Sequence, residues 1–308
     1  MFNISKSILF LKKILSGSNF AISYSGGIDS SILLKATYNI KGCMLIHINH
    51  GLDKQSLIWE KKCKSDAIKY KLNIKVIRIK LNTKYIKDMG LEGACRLYRY
   101  RAISDYLRNN NIRYLVTGHN LDDLVETFLI NVFRGCGLFG LKPINTVSFN
   151  FGIFIIRPFI NIPRADLFEF FKPINNHIID KSNFSFRFKR NVVRFVLSNY
   201  ISVFFRKYMI SIRRTTYLIY DYIKFLYSVA KEDISNTNML IYKIRKLPNF
   251  RIRNIIIYIL RNNGFGIKSM SWLNEVVKQV LSCKSKMLIT NKNVRITLEK
   301  ETLTFLFN

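Results

Sequence analysis

Six consecutive residues, Ser25-Gly26-Gly27-Ile28-Asp29-Ser30, have the make-up of a phosphate cradle. Adjacent glycines let the backbone turn so that successive N–H groups face one concavity, and a helix starting there adds its positive end. Ser25 and Ser30 supply hydroxyl donors. The lysine of a GxxxxGK[ST] loop is missing, so this is a different kind of phosphate site. Asp29 would repel phosphate directly. Its place here makes sense through a metal ion, Mg²⁺ foremost, that bridges the carboxylate and the phosphates. The plain alternative is a glycine-rich strand-to-helix turn capped by serine.

A second cluster is Gly118-His119-Asn120-Leu121-Asp122-Asp123-Leu124-Val125-Glu126-Thr127. On a helix, Asp122 and Asp123 share a face with Glu126, at spacings of four and three. Like charges so close call for a cation among them, either Mg²⁺ or an amine substrate. Complementing a helix N-terminus would explain Asp122 and Asp123 but explains Glu126 less well. A third group, Glu92 with Arg96 and Arg99, puts two guanidiniums on one helix face, suited to phosphate or to developing negative charge. An exposed Glu–Arg ladder would look the same. Finally, Asp180-Lys181-Ser182-Asn183 with Arg190, Asn191 and Arg194 reads either as a loop capping a helix and binding RNA backbone or as a basic helix start with nothing bound.

These groups need elements to hold them. Strand signals at 20–24, 43–48, 74–79 and 114–117 alternate with helical stretches at 30–38, 56–72, 92–109 and 122–134. That alternation implies right-handed crossovers and a parallel sheet, an α/β fold with its chemistry at the carboxyl edge. After about Val192, helical periodicity dominates, and the tail at 294–306 reads as a small hairpin. The expected division is therefore 1–205, a catalytic α/β domain, and 206–308, a small, mainly helical domain.

Composition narrows the partners. The chain has 308 residues with 50 Lys and Arg against 19 Asp and Glu, a net charge of +31. Such an excess suits a polyanion, nucleic acid before any acidic protein, although an A/T-rich genome would also enrich lysine. Five scattered cysteines without a CxxC pair exclude a zinc ribbon or a thioredoxin-type site and suit a reducing compartment. Residues 1–6 lack a secretory leader pattern, and no uncharged stretch is apolar enough to span a bilayer. The expectation is a cytoplasmic protein, or one of an organelle stroma, without a membrane partner.

Taken together and in order, these motifs resemble the tRNA(Ile)-lysidine synthetases of the PP-loop ATP-pyrophosphatase superfamily. The resemblance rests on the 25–30 loop, on His47-Ile48-Asn49-His50-Gly51-Leu52, on Glu92 with Arg96 through Tyr100, on Gly118-His119 with Asp122-Asp123 and Glu126-Thr127, and on Asp180, Ser182-Asn183, Arg190-Asn191 and Arg194. Cys95, Asn120, Leu124 and Cys136 depart from the usual pattern. The match is to a short form without the further C-terminal domain of longer members.

The resemblance implies a PP-loop ATPase fold followed by a small helical tRNA-recognition domain. It implies ATP with Mg²⁺, isoleucine tRNA with the CAU anticodon, and L-lysine as partners. It assigns Ser25 to Ser30 to ATP, Asp29 to the metal, and Asp29 and Arg96 to catalysis. Asp122, Asp123 and Glu126 would hold lysine or metal. Arg99, Arg190, Asn191 and Arg194 would hold tRNA. A PP-loop tRNA thiolase and a non-catalytic RNA-binding relative are the alternatives, and a homodimer is left open.

Overall fold

A computed structural model describes residues 4–51, 55–80, 83–174, 177–180, 185–267, 269–283, 288–291, 294–299 and 301–307. In chain order, the first elements are α1 (Ile4–Leu15), β1 (Phe20–Ser23), α2 (Ile28–Thr37), β2 (Cys43–Asn49), α3 (Ser56–Lys69) and β3 (Asn73–Arg78). Next come α4 (Thr83–Asn109, broken at Gly90), β4 (Tyr114–Val116), α5 (Leu121–Phe133), α6 (Gly137–Gly140), β5 (Val147–Asn150), β6 (Ile153–Ile156) and α7 (Arg164–Phe170). A second group follows: α8 (Lys189–Val196), a π-helical turn (Leu197–Ile201), α9 (Ser202–Phe204) and α10 (Tyr208–Thr237). The tail holds α11 (Ile241–Ile244), α12 (Asn249–Asn262), α13 (Met270–Ser282), β7 (Leu288–Asn291), β8 (Val294–Glu299) and β9 (Thr302–Phe307).

The larger sheet has the order β3-β2-β1-β4-β6-β5, parallel except for β5 on β6. The two-residue period of the strands explains why helices cover both faces. Phe20, Ile22 and Leu45 turn to one side, where α1, α2, α3 and α7 contribute Leu11, Leu33, Cys63 and Leu167. Ala21, Ile46 and Leu115 turn to the other, against Ile103 and Leu107 of α4. The sequence pattern reveals the four strands at the centre and at one side of this sheet. It does not reveal β5 and β6, whose apolar 149–156 stretch reads only as too short for a membrane. Two strands joined by the tight Phe151-Gly152 turn, both with positive φ, account for that stretch.

The chain divides into two compact units, Met1–Tyr217 and Leu218–Asn308, with the division inside α10. The boundary expected at 206 precedes it. In the second unit, Ile252, Ile256 and Leu260 of α12 and Leu273, Val276 and Val280 of α13 are buried, and β7-β8-β9 form a separate antiparallel sheet. That sheet contains the expected hairpin, as β8 paired with β9. Among the described residues, no helix is long and apolar enough to cross a membrane.

Candidate active site

The 25–30 loop lies where β1 ends and α2 begins, at the carboxyl edge of the sheet. Its shape is fixed from inside. The Ser25 and Ser30 hydroxyls lie 3.1 Å apart, the Ser30 hydroxyl donates to the Gly27 carbonyl at 2.9 Å, and the Gly27 N–H reaches Ser25 Oγ at 3.3 Å. Gly26 has φ +76°, the left-handed region, and its carbonyl accepts from the Ile178 N–H at 2.8 Å. The conformation favours glycine; a Cβ there would also press on the end of the Ile178 side chain, at 2.4 Å from Cδ1, which can yield. Gly27, the residue preceding α2, gives the helix no side-chain cap. The first N–H groups of α2 are thus left for a ligand, the arrangement that binds anions.

This loop opens on a cavity of about 660 Å³. Ser25, Gly27, Ile28, Asp29 and Ser30 line it, as do His47 to Gly51 at the end of β2 and just beyond it, Trp59, Arg99, Arg164, His177 to Asp180, Phe188 and Arg194. His47 faces the Tyr24 carbonyl through Nδ1 at 3.0 Å; a carbonyl only accepts, so Nδ1 carries the proton. Both ring nitrogens of His50 are buried without a partner among the described residues, and burial pushes its pKa down to about 4. Arg99, expected on tRNA, shares the cavity with the loop. Arg96, expected in catalysis, lies over the Tyr100 ring at 5.6 Å.

Asp29 connects the loop to the acidic cluster. Its Oδ1 accepts from Arg164 Nε at 2.8 Å and from Asn120 Nδ2 at 2.9 Å. Asn120 also caps α5: its Oδ1 accepts from the Asp123 N–H, and Asp123 accepts from the Asn120 N–H, a reciprocal capping box. The two motifs, ninety-one residues apart in the chain, are therefore one hydrogen-bonded assembly. Gly118 makes this approach close. A Cβ there would sit 2.6 Å from the Asp29 carbonyl oxygen, which is backbone and has no freedom to yield.

Further along α5, the carboxylates are already engaged. Asp122 accepts from the Arg164 N–H at 2.8 Å. Glu126, 1% exposed, takes Arg190 Nε at 2.7 Å on one oxygen and Arg194 Nε at 2.8 Å on the other. Arg190 also reaches Asp123 at 3.4 Å. Burial raises the pKa of Asp29 and of Asp122 above the ordinary carboxylate value, with Arg164 opposing it. At Asp123 burial acts the same way, but the neighbouring His119, then Arg190, the Asn120 N–H and Arg164, outweigh it and hold the pKa low. Burial also holds His119, whose ring meets the Thr117 hydroxyl at 2.8 Å, at a pKa of about 4.

Sequence reasoning placed Arg190 and Arg194 on tRNA and Glu126 on lysine or metal, whereas the structure brings these three side chains onto one another. Asn191 is buried and donates to the Ser185 carbonyl at 2.8 Å, shaping the entry to α8. Lys181, Ser182 and Asn183 lie outside the described residues. Sequence reasoning sees Arg164 only as an isolated arginine beside a turn and gives it no role in the site. It stands one residue after Pro163 at the start of α7, and nothing local signals a partner 135 residues earlier.

Residues 3–201 match the family described as a PP-loop domain, ATP_bind_3. The chain belongs to the PP-loop family. Its curated relatives include the tRNA(Ile)-lysidine synthase of Wigglesworthia glossinidia brevipalpis, 27% identical over 96% of this chain and 78% of that protein. The synthase of the same name from Buchnera aphidicola is 34% identical over 70% of this chain and 49% of its own length. The chain thus spans about half or less of several relatives that it matches. Among solved structures, the U34-tRNA thiolase NcsA from Methanococcus maripaludis aligns with a TM-score of 0.50 at 20% identity, over 70% of this chain and 79% of that one, which is a likeness of fold. PP-loop membership brings with it the use of ATP.

Proposed function

We propose that this PP-loop protein joins L-lysine to C2 of the wobble cytidine of isoleucine tRNA with the CAU anticodon, forming lysidine. One observation carries the reading: an uncapped helix start and a glycine loop face a cavity and are tied through Asp29 and Asn120 to the acidic start of α5. The names of the curated relatives support the same reaction.

In the first step, O2 of the cytidine attacks the α-phosphorus of ATP. A C–O–P link forms and pyrophosphate leaves. In the second, the lysine ε-amine attacks C2, its C–N bond forms, and the C–O bond to AMP breaks. Ser25 to Ser30 hold the phosphates through N–H and hydroxyl donors, and Arg99 adds a cation to the same cavity. Arg96 remains the proposed partner of the charge that builds on the activated base.

Among the described residues, no group of three or more His, Cys, Asp or Glu could hold a metal unaided. Mg²⁺ would instead be shared between Asp29 and the phosphate oxygens of ATP, the usual mode for this ion. There it would neutralise charge on the departing pyrophosphate. Among the described residues, both hydrogen bonds to the Asp29 carboxylate fall on Oδ1, so Oδ2 is the oxygen that would meet that cation.

Four carboxylates, Asp29, Asp122, Asp123 and Glu126, face three guanidiniums, Arg164, Arg190 and Arg194. Asp122 and Asp123 are the proposed lysine contacts, with Glu126 behind them. Residues 206–308, with 19 Lys and Arg against 6 Asp and Glu, are the proposed tRNA-recognition part. The test is direct: incubate the protein with ATP, labelled lysine and isoleucine tRNA, then digest to nucleosides. Label should appear in a lysine-substituted cytidine and require ATP. Absence of that nucleoside, with pyrophosphate still released, would remove lysine from the reading.

A further inference from the structure

Helix α8 has two faces. On one, Arg190 and Arg194 reach Asp123 and Glu126. On the other, Val192, Phe195 and Val196 are exposed, and exposed rings continue at Phe186 before the helix and Tyr200 after it. Phe186 meets Phe195 nearly edge-on at 5.3 Å between ring centres, and Phe195 meets Tyr200 in the same way at 6.2 Å. A contiguous aromatic surface of this kind marks a place of interaction.

Its surroundings indicate the partner. No Asp or Glu occurs between Asp180 and Asp221. Arg187, Lys189, Arg206 and Lys207 in that stretch are all exposed. A second copy of this chain would bring the same positive charges against them. A polyanion with exposed ring faces is complementary to both features: phosphates for the cations, unpaired bases for the rings. The surface also begins at the cavity. Phe188, two residues from Phe186, lines it together with Arg194. A nucleotide entering the cavity must leave its stack, and its unstacked neighbours then need a surface just outside.

We propose that Phe186, Phe195 and Tyr200 form a stacking platform for the unpaired nucleotides flanking the one that enters the cavity, with Arg187, Lys189, Arg206 and Lys207 on their phosphates. The inference rests on the RNA-substrate reading above.

The test uses the full chain and an RNA hairpin carrying the isoleucine anticodon loop, with a fluorescent adenine analogue beside the wobble cytidine. Phe195→Leu and Tyr200→Leu remove a ring from an exposed position while keeping an apolar side chain. Each should weaken hairpin binding about tenfold. Each should also reduce the quenching of the analogue, leave the salt dependence of binding unchanged, and leave ATP affinity intact. Phe195→Trp should restore binding. Arg206→Ala should instead lower the salt slope.

Equal affinity and quenching in wild type and Leu variants would overturn the platform while leaving the RNA reading in place. Loss of self-association in the Leu variants, with hairpin binding unchanged, would assign the face to a second copy and likewise overturn it. A wild-type protein that binds neither hairpin nor tRNA would remove the RNA reading itself.

Discussion

The loop at 25–30 and the arginine-bracketed carboxylates of α5 lie in one unit and answer to opposite physical demands. The loop is closed on itself by hydrogen bonds between Ser25, Gly27 and Ser30, yet the helix start beneath it has no side-chain cap. Its donors wait for a ligand. Glu126, in contrast, has both oxygens bound to guanidiniums and is shut away from water. A buried carboxylate with two such partners is costly to break and does little for a ligand it cannot reach. The proposed reading thus gives the loop a binding role and the Glu126 cluster an architectural one. Asp29 stands at the join, partly exposed and held through one oxygen.

Substitutions can separate the two. The largest expected effect is at Asp29. Asp29→Asn keeps an acceptor for Arg164 and Asn120 but loses the charge proposed to hold Mg²⁺. Pyrophosphate release in the presence of tRNA should fall about a hundredfold or more, with the urea midpoint little changed. If release persists at the wild-type rate, the metal role of Asp29 is wrong and the comparison loses its functional side.

Glu126→Gln should behave in the reverse sense. It leaves Arg194 without its counter-charge and Arg190 with Asp123 alone. Because both guanidiniums are partly exposed, water relieves some of the loss, and about 3 kcal/mol of unfolding free energy is expected to go. Chemical denaturation reads it. A rise in the KM for lysine at an unchanged midpoint would instead make Glu126 a ligand contact, as its sequence position first indicates.

Gly118→Ala sharpens the comparison from the junction. The added methyl meets the Asp29 backbone at a distance no Cβ adopts, so the start of α2 must shift. About 1–3 kcal/mol of stability should be lost, and the KM for ATP should rise. A shift in stability alone would mean that the loop does not depend on this contact.

How much of this was open to sequence reasoning follows from where each signal lies along the chain. The loop could be read because all its determinants are contiguous: two glycines, flanking serines, and a strand-to-helix junction. The four strands could be read from local apolar runs, and the acidic cluster from spacing on a single helix. What could not be read is pairing across distance. Arg164 with Asp29, and Arg190 and Arg194 with Glu126, join segments more than sixty residues apart. The same is true of Gly118, whose need for glycine comes from a neighbouring backbone and not from its own φ. Strands β5 and β6 are short and rich in phenylalanine, and a stretch of that kind carries no period that distinguishes it from other apolar runs.

The finest distinction between the two regions is in how they respond to acid. Burial holds His50 and His119 at a pKa of about 4, against about 6.5 in an unfolded chain. Below 6.5 the unfolded chain takes up protons that the folded chain refuses, so stability should fall as the pH drops from about 6.5 towards 4. Burial moves Asp29 and Asp122 the other way, above their ordinary value. Their folded forms hold protons more readily than the unfolded chain does, so their contribution favours the fold at low pH and is lost as the pH rises through the raised pKa. The cavity histidine and the junction carboxylates therefore oppose each other on the acid limb. His50→Gln removes one member of the first set and should flatten the fall between pH 6.5 and 4 by at most about 1.4 kcal/mol per pH unit. Urea midpoints measured across that range would show it. If the slope is unchanged, His50 is free to take its proton in the folded protein, and the wall of the cavity beside Arg99 is wetter than its buried ring nitrogens indicate.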